Sequence, residues 1–413
     1  MALLLYTLFL KLYPLGIRIA SIGNVKARQW IRGRKKFPAV NLAREKKSAI
    51  WMHCASLGEF EQGRPLLEKL KKDFPEYEVV ITFFSPSGYE VQKNYPGADA
   101  VFYLPTDSPS HAKKFIDQVN PTLVLWVKYE YWYHYLHELK KRNIPTLLVS
   151  GAFREDQPFF KWYGKLWREM LSCFAHYFMQ NETSKTLLEN IGIKNASVSG
   201  DTRFDRVITI AGNFESVPLM KEFCGNDKVM VAGSTWEDDE AEMVHYVKTN
   251  PGIKFIIAPH EIDKENLRDV KKEFTGSIFY SELTLDTVQN THTLIIDNIG
   301  MLSRLYQYAD ITYVGGGFGY TGLHNILEAA VYGKPVIFGP ETDRNFEARE
   351  LVECGGGIII HNALELEKTL TNLFEDPSEL KKRGEAAKNY VYRNAGATKK
   401  IVEYIQENRL LTN

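Results

Sequence analysis

Glu59 has the residue type and the sequence position of a general base. It ends the segment His53-Cys54-Ala55-Ser56-Leu57-Gly58-Glu59, which follows an apolar strand pattern and opens a helix pattern. A carboxylate held at the carboxyl end of a parallel strand can accept a proton from an incoming hydroxyl group at hydrogen-bond distance. Gly58 leaves space beside it for a second molecule. The structural alternative is a capping box, in which Ser56 and Glu59 only bond backbone N–H groups at the helix start.

The segment from Val314 to Pro340, VGGGFGYTGLHNILEAAVYGKPVIFGP, is suited to holding a nucleotide. It predicts a strand over Ile311–Val314, a turn over Gly315–Gly322, a helix over Leu323–Tyr332 and a strand over Pro335–Phe338. Glycines at positions 315, 316, 317 and 319 let the backbone approach another group closely. The N-terminus of the helix would suit a phosphate, and Glu328 could accept hydrogen bonds from two ribose hydroxyl groups. The alternative is a glycine turn before a capped helix, with Glu328 in solvent.

Charged residues also follow another strand pattern of the first half and lie in the turn that ends this half. Lys128 and Glu130 come after the apolar stretch Leu123–Val127, within a run of aromatic residues. Arg203 lies in the polar turn Gly200–Asp205. Aromatic residues at such a position are more typical of a core than of a ligand platform, but the charges among them are candidates for a site.

Three polar loops follow strand patterns in the second half. They are Gly233–Glu237 after Val229–Ala232, Pro259–Glu261 after Phe255–Ala258, and Asp297–Met301 after Leu294–Ile296. Because parallel strands end at one edge of their sheet, we expect these loops to converge beside the glycine-rich turn. An isolated His260 would more often be structural, but this convergence makes it a binding candidate.

A doubly wound α/β scaffold is needed to position these residues. Short apolar strand patterns alternate with helical segments from Ala49 onward, which favours parallel sheets with helical crossovers. The predicted strands of the first half are Ile50–Cys54, Val79–Phe84, Val101–Leu104, Leu123–Val127, Thr146–Val149 and His176–Met179. The alternation restarts at Val229 after a polar stretch, so we predict two α/β domains with a boundary near Arg206. Helices are also predicted over Asp376–Asn394 and Ala397–Leu410.

Composition limits the function classes. The 413 residues include 51 Lys and Arg and 51 Asp and Glu, so the net charge is zero and there is no global electrostatic case for nucleic-acid binding. The four cysteines are far apart and form neither a zinc motif nor a disulfide framework, which fits a reducing compartment. Since no acidic pair of the DxD type follows a strand, we expect no metal.

The first 22 residues form an apolar segment interrupted by Lys11, Pro14 and Arg18. The basic residues that follow, with no acid before Glu45, are Lys26, Arg28, Arg32, Arg34, Lys35 and Lys36. A secretory signal would carry its charges first, and a full span needs about 20 nearly uninterrupted apolar residues. We therefore favour an interfacial or marginally inserted helix, with the basic flank keeping the chain cytoplasmic. A helix packed on the protein's own core is the alternative.

The order of these motifs resembles that of the Kdo transferases, which attach 3-deoxy-D-manno-octulosonic acid (Kdo) from CMP-Kdo to the lipid A precursor of Gram-negative bacteria. The matching segments, over nearly the whole chain, are the apolar N-terminus with its basic flank, His53–Glu59, Thr82–Gly88, Gln180–Glu182, Gly200–Asp205, Gly233–Glu237, His324–Glu328, Phe338–Pro340 and Asn345-Phe346. The resemblance implies a GT-B fold, with two Rossmann-like domains facing a cleft. It also implies an inverting glycosyltransferase of lipopolysaccharide biosynthesis that uses no cofactor. The implied partners are CMP-Kdo, the lipid A precursor (lipid IVA) and the cytoplasmic face of the inner membrane, but no nucleic acid.

The resemblance also implies roles for individual residues. Glu59 matches the family's proton acceptor, and Arg203 stands where the family usually has a lysine that stabilises the transition state. Lys128 takes the place of a second stabiliser, usually a glutamate, whose role Glu130 could fill instead. The residues implied in CMP binding are Pro259, His260, Ile299, Gly300, Met301, Asn325, Ile326, Leu327 and Glu328. Pro259 replaces a usual arginine, and Met301 a usual glutamate.

Four segments make up the expected domain organisation. They are a membrane-associating helix and basic flank over 1–40, a Rossmann-like acceptor domain over 41–206, a Rossmann-like CMP-sugar donor domain over 207–395, and a C-terminal helix over 396–413 that packs back toward the N-terminal domain. Two other functions are compatible with the motifs. A UDP-sugar transferase or 2-epimerase would share the second-domain signature without requiring the basic, apolar N-terminus. A membrane-tethered nucleotide or lipid binder without catalysis is the other, although Glu59 and Arg203 argue against it.

Overall fold

The computed structural model describes residues 2–40, 48–128, 130–319, 322–343 and 345–412. The chain divides into two compact units, of which unit 1 comprises Met1–Arg206 with Ala395–Asn413, and unit 2 comprises Val207–Asn394. Each unit contains a seven-stranded sheet whose neighbouring strands are parallel. The predicted doubly wound α/β class is thereby confirmed.

The sheet of unit 1 has the strand order β3-β2-β1-β4-β5-β6-β7. Its strands are β1 (Ala49–Cys54), β2 (Glu78–Phe83), β3 (Ala100–Tyr103), β4 (Pro121–Val127), β5 (Thr146–Gly151), β6 (His176–Met179) and β7 (Ala196–Val198). The chain builds outward from β1 to β3 and then returns to β4 on the other side of β1. The switch point of unit 1 is therefore between β1 and β4, where doubly wound sheets bind their ligands.

The sheet of unit 2 has a related order, β10-β11-β9-β8-β12-β13-β14, in which β11 lies between β9 and β10. Its strands are β8 (Lys228–Thr235), β9 (Ile253–Pro259), β10 (Ile278–Phe279), β11 (Thr293–Ile295), β12 (Ile311–Val314), β13 (Val336–Phe338) and β14 (Gly357–Ile359). Its switch point lies between β8 and β12, because the chain reverses its direction of growth there.

Helices precede, connect and follow these strands. They are α1 (Ala2–Ala20), α2 (Val25–Gly33), α3 (Leu57–Asp73), α4 (Pro86–Gln92), α5 (Pro109–Val119), α6 (Tyr133–Lys141), α7 (Lys165–Leu171), α8 (Glu182–Asn190), α9 (Thr202–Gly212), α10 (Met220–Cys224), α11 (Glu237–Thr249), α12 (Lys264–Glu273), α13 (Leu302–Leu305), α14 (Leu327–Ala330), α15 (Phe346–Glu353), α16 (Ala363–Glu375), α17 (Pro377–Arg393) and α18 (Ala397–Glu407). Short 3₁₀ turns occur at Pro158–Phe160, Tyr280–Glu282, Val288–Asn290 and Tyr306–Tyr308.

Apolar layers cover both faces of the sheet in unit 1. Every residue of β1 is buried, and its side chains alternate between the faces. Trp51 packs in one core cluster, while Ile50 and Met52 pack in the other. The second cluster also contains Ile401 of α18. The residues 395–413 thus contribute to the core of unit 1.

One predicted helix is much shorter than expected. The pattern predicts a helix over Leu323–Tyr332, whereas α14 extends only over Leu327–Ala330. The backbone N–H of His324 donates to the Gly315 carbonyl at 3.1 Å, which holds this segment in a loop. The predicted bounds of this helix are therefore wrong, and a helix of this length presents little dipole to a phosphate. Phosphate binding by this segment stays a prediction. Tyr320 and Thr321 of the predicted turn, and Glu45, lie outside the described residues.

Candidate active site

Glu59 lies in the first turn of α3, directly after the carboxyl end of β1. The residue is 8% exposed, and one carboxylate oxygen accepts a hydrogen bond from the backbone N–H of Ala55. Ser56 precedes the helix, but its hydroxyl makes no capping hydrogen bond to α3. The two-sided capping box is therefore not formed. Glu59 instead accepts from the backbone N–H of Ala55, one residue before Ser56, and this bond fixes its carboxylate at the switch point of unit 1.

Arg203 is held by a buried carboxylate two residues before it. Its Nε and Nη2 atoms lie 2.8 and 2.7 Å from Oδ2 of Asp201, and its backbone N–H donates to Oδ1 at 2.9 Å. Burial acts to raise the pKa of Asp201, but the charges of Arg203 and Lys128 and the hydrogen bonds from Arg203 lower it below its ordinary value. An ionised Asp201 therefore fixes the direction of the guanidinium group.

Lys128 follows β4 in a left-handed backbone conformation, with a φ of 58°. Its backbone N–H donates to the Val149 carbonyl at 3.1 Å. A non-glycine residue rarely adopts this conformation, which turns the chain sharply at the end of the strand. The Lys128 charge acts on Asp201, so Lys128, Asp201 and Arg203 form one charged group with an excess of one positive charge. We name these three residues the basic cluster.

Thr202 attaches the basic cluster to the helix that carries Glu59. Its hydroxyl donates to the backbone carbonyl of Gln62 and lies 2.9 Å from the hydroxyl of Ser150. Gln62 follows Glu59 by three residues on α3, which is about one helical turn. The structure therefore brings Glu59, Arg203 and Lys128 to one edge of the unit 1 sheet.

Glu130 takes part in a different set of contacts. Its Oε2 lies 3.1 Å from Nε2 of His53 and accepts a hydrogen bond from the Trp132 indole at 3.2 Å. His53 is fully buried on β1, and its Nδ1 lies 2.9 Å from the hydroxyl of Thr82. Glu130 and Thr82 thus hold the two nitrogens of a buried imidazole, while Lys128 contributes to the charge around Asp201.

An aromatic cluster lies at the switch point of unit 2. It consists of Trp236 after β8, His260 after β9, and His324 in the loop after β12. The ring centroids of His260 and His324 are 4.3 Å apart, and those of Trp236 and His260 are 4.7 Å apart. The Trp236 indole N–H donates to Nε2 of His324 at 3.0 Å. These contacts bring together two of the three loops predicted to converge, Gly233–Glu237 and Pro259–Glu261, with the loop after β12. Trp236 itself was missed as a site residue, although it stands directly after a strand.

Burial and the neighbouring His260 lower the pKa of His324 to about 4. His324 is therefore neutral near pH 7, in agreement with an Nε2 atom that accepts the Trp236 hydrogen bond. Trp236 and the neutral His324 present flat, uncharged ring surfaces, which suit stacking with a nucleobase better than neutralising a phosphate.

The glycines after β12 allow the chain to pack against itself. A Cβ atom on Gly317 would lie 2.6 Å from the backbone N of Gly339, and one on Gly315 would lie 2.3 Å from the Ser234 carbonyl. Buried Asp239 joins the segments after β8 and β12, because its Oδ2 accepts from the N–H groups of Gly316 and Trp236 at 2.8 and 3.0 Å. These glycines are explained by backbone packing within unit 2.

The predicted nucleotide residues differ in what they can offer. Ile326 and Leu327 are fully buried, so only their backbone groups could meet a ligand. Asn325 donates from Nδ2 to Oε1 of Glu328 at 3.0 Å, and its Oδ1 accepts from the Leu327 N–H at 3.3 Å. The Asn325 amide therefore orients the Glu328 carboxylate.

The remaining predicted residues follow β9 and β11. Pro259 is the buried last residue of β9, and Met301 is also buried. Between β11 and α13, Ile299 is 86% exposed and Gly300 has a φ of 95°. This exposed turn is positioned to offer backbone groups, whereas the Pro259 and Met301 side chains belong to the core.

A cavity of about 400 Å³ opens beside the glycine-rich turn of unit 2. Its lining includes the carboxylates of Asp238, Glu341 and Asp343. Arg349 pairs with Asp343 at 2.5 Å. Carboxylates accept hydrogen bonds from hydroxyl groups and repel phosphates, so this cavity suits the hydroxyl groups of a sugar. No sequence motif marks these acids as site residues.

Residues 29–206 match the family model described as 3-deoxy-D-manno-octulosonic-acid transferase (kdotransferase). A 3-deoxy-D-manno-octulosonic acid transferase of Aquifex aeolicus is 29% identical over 358 residues, covering 84% of this chain and 92% of that protein. A bifunctional glycosyltransferase/methyltransferase of Fusobacterium nucleatum is 28% identical over 78% of this chain, which spans only 52% of that longer protein.

Among solved structures, the UDP-GlcNAc 2-epimerase of Neisseria meningitidis matches 87% of this chain and 100% of its own, with a TM-score of 0.63 and 18% identity. At this identity the likeness shows the fold alone, which is of the GT-B type. The matched family segment contains Glu59, Lys128 and Arg203, and relatives of the same name from several bacteria align with most of the chain. Residues 29–206 therefore resemble the Kdo transferase family model, and most of the chain is similar to Kdo transferases of several bacteria.

Proposed function

We propose that this protein transfers Kdo from CMP-Kdo to a hydroxyl group of the lipid A precursor, with inversion at the anomeric carbon. The observation that carries the proposal is the grouping of Glu59, Arg203 and Lys128 at the switch point of unit 1. One sheet edge there supplies a proton acceptor and two cations. The Kdo transferases that align with most of the chain support the choice of donor and acceptor.

The oxygen of the acceptor hydroxyl forms a bond to the anomeric carbon of Kdo, and Glu59 accepts the proton of that hydroxyl. The bond from that carbon to the CMP phosphate breaks in the same step, and its electron pair leaves with the phosphate oxygen. Arg203 and Lys128 stabilise the negative charge that develops. Asp201 holds Arg203 in a fixed direction, so little reorganisation is needed during the reaction.

Unit 2 binds the donor in this proposal. The rings of Trp236 and His260 stack with the cytosine, and Glu328, oriented by Asn325, accepts hydrogen bonds from the ribose. Backbone groups of Ile299–Met301 complete the nucleotide site. The acid-lined cavity receives the hydroxyl-bearing side of Kdo. Ile326, Leu327 and Pro259 support these groups from the core.

The N-terminal helix associates with the cytoplasmic face of the inner membrane, where the acceptor is found. Among the described helices, α1 alone has the length and composition to cross a bilayer, with a mean hydropathy of 1.5. Its side chains are not buried in the protein. The basic residues after it would contact anionic headgroups.

A mass-resolved transfer assay tests the proposal. Purified protein is given lipid A precursor in detergent and CMP-Kdo generated in situ, and the lipid mass reports the number of Kdo groups added. Glu59→Gln should lower turnover by about 10²- to 10⁴-fold with CMP affinity unchanged. The matched control is Glu61→Gln, which removes a more exposed carboxylate from the same helix and should keep most activity.

Equal turnover of Glu59→Gln and Glu61→Gln would show that Glu59 has only a structural role. A wild-type protein that binds CMP but leaves the lipid unchanged would exclude the proposed acceptor and favour a binder. If UDP competed more strongly than CMP for the donor site, a UDP-sugar transferase or 2-epimerase would be favoured instead.

A further inference from the structure

A second cavity, of about 460 Å³, lies within unit 1 beside the N-terminal helices. Pro14 and Arg18 of α1, Trp30 of α2, and the following Arg34, Lys35 and Lys36 all line it. No Asp or Glu of the described residues lines this cavity. We name it the cationic cavity; it is separate from Glu59 and the basic cluster.

Arg34 is a built-in charge in the wall of this cavity. Its Nε donates to the Leu104 carbonyl at 2.9 Å and its Nη2 to the Phe84 carbonyl at 2.7 Å. Its guanidinium carbon lies 4.2 Å from the centre of the Trp30 ring. Burial lowers the pKa of Arg34 to about 10, so it stays charged at neutral pH. The fold therefore holds the Arg34 cation in the cavity wall, and none of the described residues forms a salt bridge with it.

Three further cations, Arg18, Lys35 and Lys36, are exposed at the cavity. None of them forms an ion pair within the part of the chain that the structure describes. Asp107, the buried carboxylate of this region, is already bound by the Tyr6 hydroxyl at 2.6 Å and by the backbone N–H groups of residues 134 and 135. The cavity thus keeps an excess of positive charge that would favour an anion.

Trp30 adds an unsatisfied donor to the same wall. The residue is 6% exposed, and its indole Nε1 has no hydrogen-bond partner among the described residues. An indole N–H can only donate, and buried donors are normally paired. The nitrogen atom is itself buried, so the indole reports changes in the cavity wall rather than offering a donor at its surface.

An apolar stripe on α1 begins beside this cavity. The side chains of Leu4, Leu8, Leu12, Leu15 and Ile19 follow helical spacing and are 52 to 75% exposed. Tyr6 and Tyr13 attach α1 to the body of unit 1, the first through Asp107 and the second by a ring contact with Trp30 at 5.7 Å. An exposed stripe of this length suits acyl chains rather than water.

We propose that the cationic cavity binds the phosphate group of an anionic membrane phospholipid, whose acyl chains lie along the apolar stripe of α1. The inference rests on the proposed membrane association, but it does not require Kdo transfer. It differs from a diffuse attraction to headgroups, in which every basic residue near the surface contributes similarly whatever its position. In a specific cavity, Arg18, Lys35 and Lys36 contribute more to binding than the basic residues that lie elsewhere.

Vesicle binding of the full chain provides the first test. Vesicles of phosphatidylcholine are compared with vesicles that also contain phosphatidylglycerol. The test variant is Arg18→Gln/Lys35→Gln/Lys36→Gln. The matched control, Lys26→Gln/Arg28→Gln/Arg32→Gln, removes the same charge from residues that do not line the cavity. The test variant should lose about tenfold more of the phosphatidylglycerol-dependent affinity than the control. Equal losses would mean diffuse attraction and would overturn the proposal.

The Trp30 indole gives a readout independent of net charge. In ¹⁵N-tryptophan-labelled protein in a neutral detergent, Trp30→Phe identifies the Trp30 signal. Short-chain phosphatidylglycerol should shift this signal saturably, whereas inorganic phosphate at the same concentration should not. An equal response to phosphate would mean a site for the free ion, and no response to either would exclude the site.

The transfer assay separates this lipid from the acceptor. If the test variant raises the KM for lipid A precursor in detergent while phosphatidylglycerol binding is unchanged, the phosphate belongs to the acceptor and the proposal is wrong. Failure of Kdo transfer itself would leave both lipid-binding readouts available, so the two proposals can fail separately.

Discussion

Asp201 is the residue that fixes the direction of Arg203, so it should act as a positioning residue in the proposed reaction. Asp201→Asn keeps the side-chain shape but removes the charge that pairs with the guanidinium. We expect kcat to fall by about 10²-fold, the size of effect that a small misplacement of a reacting group can produce, with little change in the donor KM. Steady-state kinetics with CMP-Kdo measures both values.

Arg203→Lys is the companion variant, because it keeps the charge but loses the paired contacts with Asp201. It should have an intermediate kcat. If Asp201→Asn kept the wild-type kcat, the contact between Asp201 and Arg203 would be structural only. Thermal melting of both variants is the control, because a loss of kcat is catalytic only if the melting temperature is unchanged.

Glu240 should make the stability of unit 2 depend on pH. It is buried, accepts a hydrogen bond from the Thr235 hydroxyl at 2.7 Å, and has a pKa raised from 4.5 to about 7, mainly by burial. The folded state binds this proton more tightly than the unfolded state. Its stabilising effect is therefore full below pH 4.5 and is lost as the pH rises toward 7.

Glu240→Gln mimics the protonated side chain. At pH 8 it should increase the free energy of unfolding by an amount on the order of 3 kcal/mol and so raise the midpoint temperature. At pH 5 it should change both quantities little. Thermal unfolding at the two pH values measures the difference, with the exposed Glu237→Gln as control. A variant that is equally stable to the wild type at pH 8 would contradict the assigned pKa shift.

At the scale of elements, the turn after β12 depends on two glycine backbones in contact. Gly317→Ala would place a Cβ 2.6 Å from the Gly339 nitrogen, so we expect it to destabilise unit 2 by about 1–3 kcal/mol and to weaken CMP binding. Gly252→Ala is the matched control, because an added Cβ there has no described neighbour within 4 Å. Urea unfolding and calorimetric CMP binding measure the two effects. Similar behaviour of the two variants would show that the turn tolerates a side chain.

Most strands of both sheets could be predicted from sequence because they are buried and therefore read as short apolar runs. The short edge strands β7, β10 and β14 were not predicted, since they are only partly buried. The helix predicted over Leu323–Tyr332 could not be bounded in this way. Its first residues are held by distant groups, since Asn345 donates to the Leu323 carbonyl at 3.2 Å and Gly315 accepts from the N–H of His324. Local helix propensity does not include such contacts.

The same limit applies to the candidate site. The rule that ligands collect at the carboxyl ends of strands was enough to select Glu59, Lys128 and His260. It could not show that His324 stacks on His260, or that glycines 315 and 317 pack against other backbone segments. Those contacts join residues far apart in sequence, so neither spacing nor composition contains them. The roles of the selected residues stay predictions.

At the scale of the whole molecule, unit 1 is built from two separate parts of the chain. Ile401, Val402 and Ile405 of α18 are buried in the same core cluster as β1. Removal of residues 395–413 should therefore destabilise unit 1 while unit 2, which is continuous in sequence, keeps its CMP affinity. Limited proteolysis and CMP calorimetry on the truncated chain measure these outcomes.

The control for the truncation is Lys399→Gln/Glu403→Gln, which changes an exposed ion pair of α18 without removing the helix. It should resist protease like the wild type. A truncated chain with the same resistance would show that the core of unit 1 is complete without α18.

This division of unit 1 also has a consequence during protein synthesis. The ribosome finishes residues 1–206 before it begins unit 2, yet the segment that completes the first core follows residue 394. At about 5–20 residues per second, the intervening chain takes roughly 10–40 s to make. During that time the apolar surface that will receive α18 stays open on a nascent chain whose N-terminal helix is also apolar. Early capture of the first helix by the membrane, or of the open surface by a chaperone, would protect the nascent chain from aggregation until α18 is made.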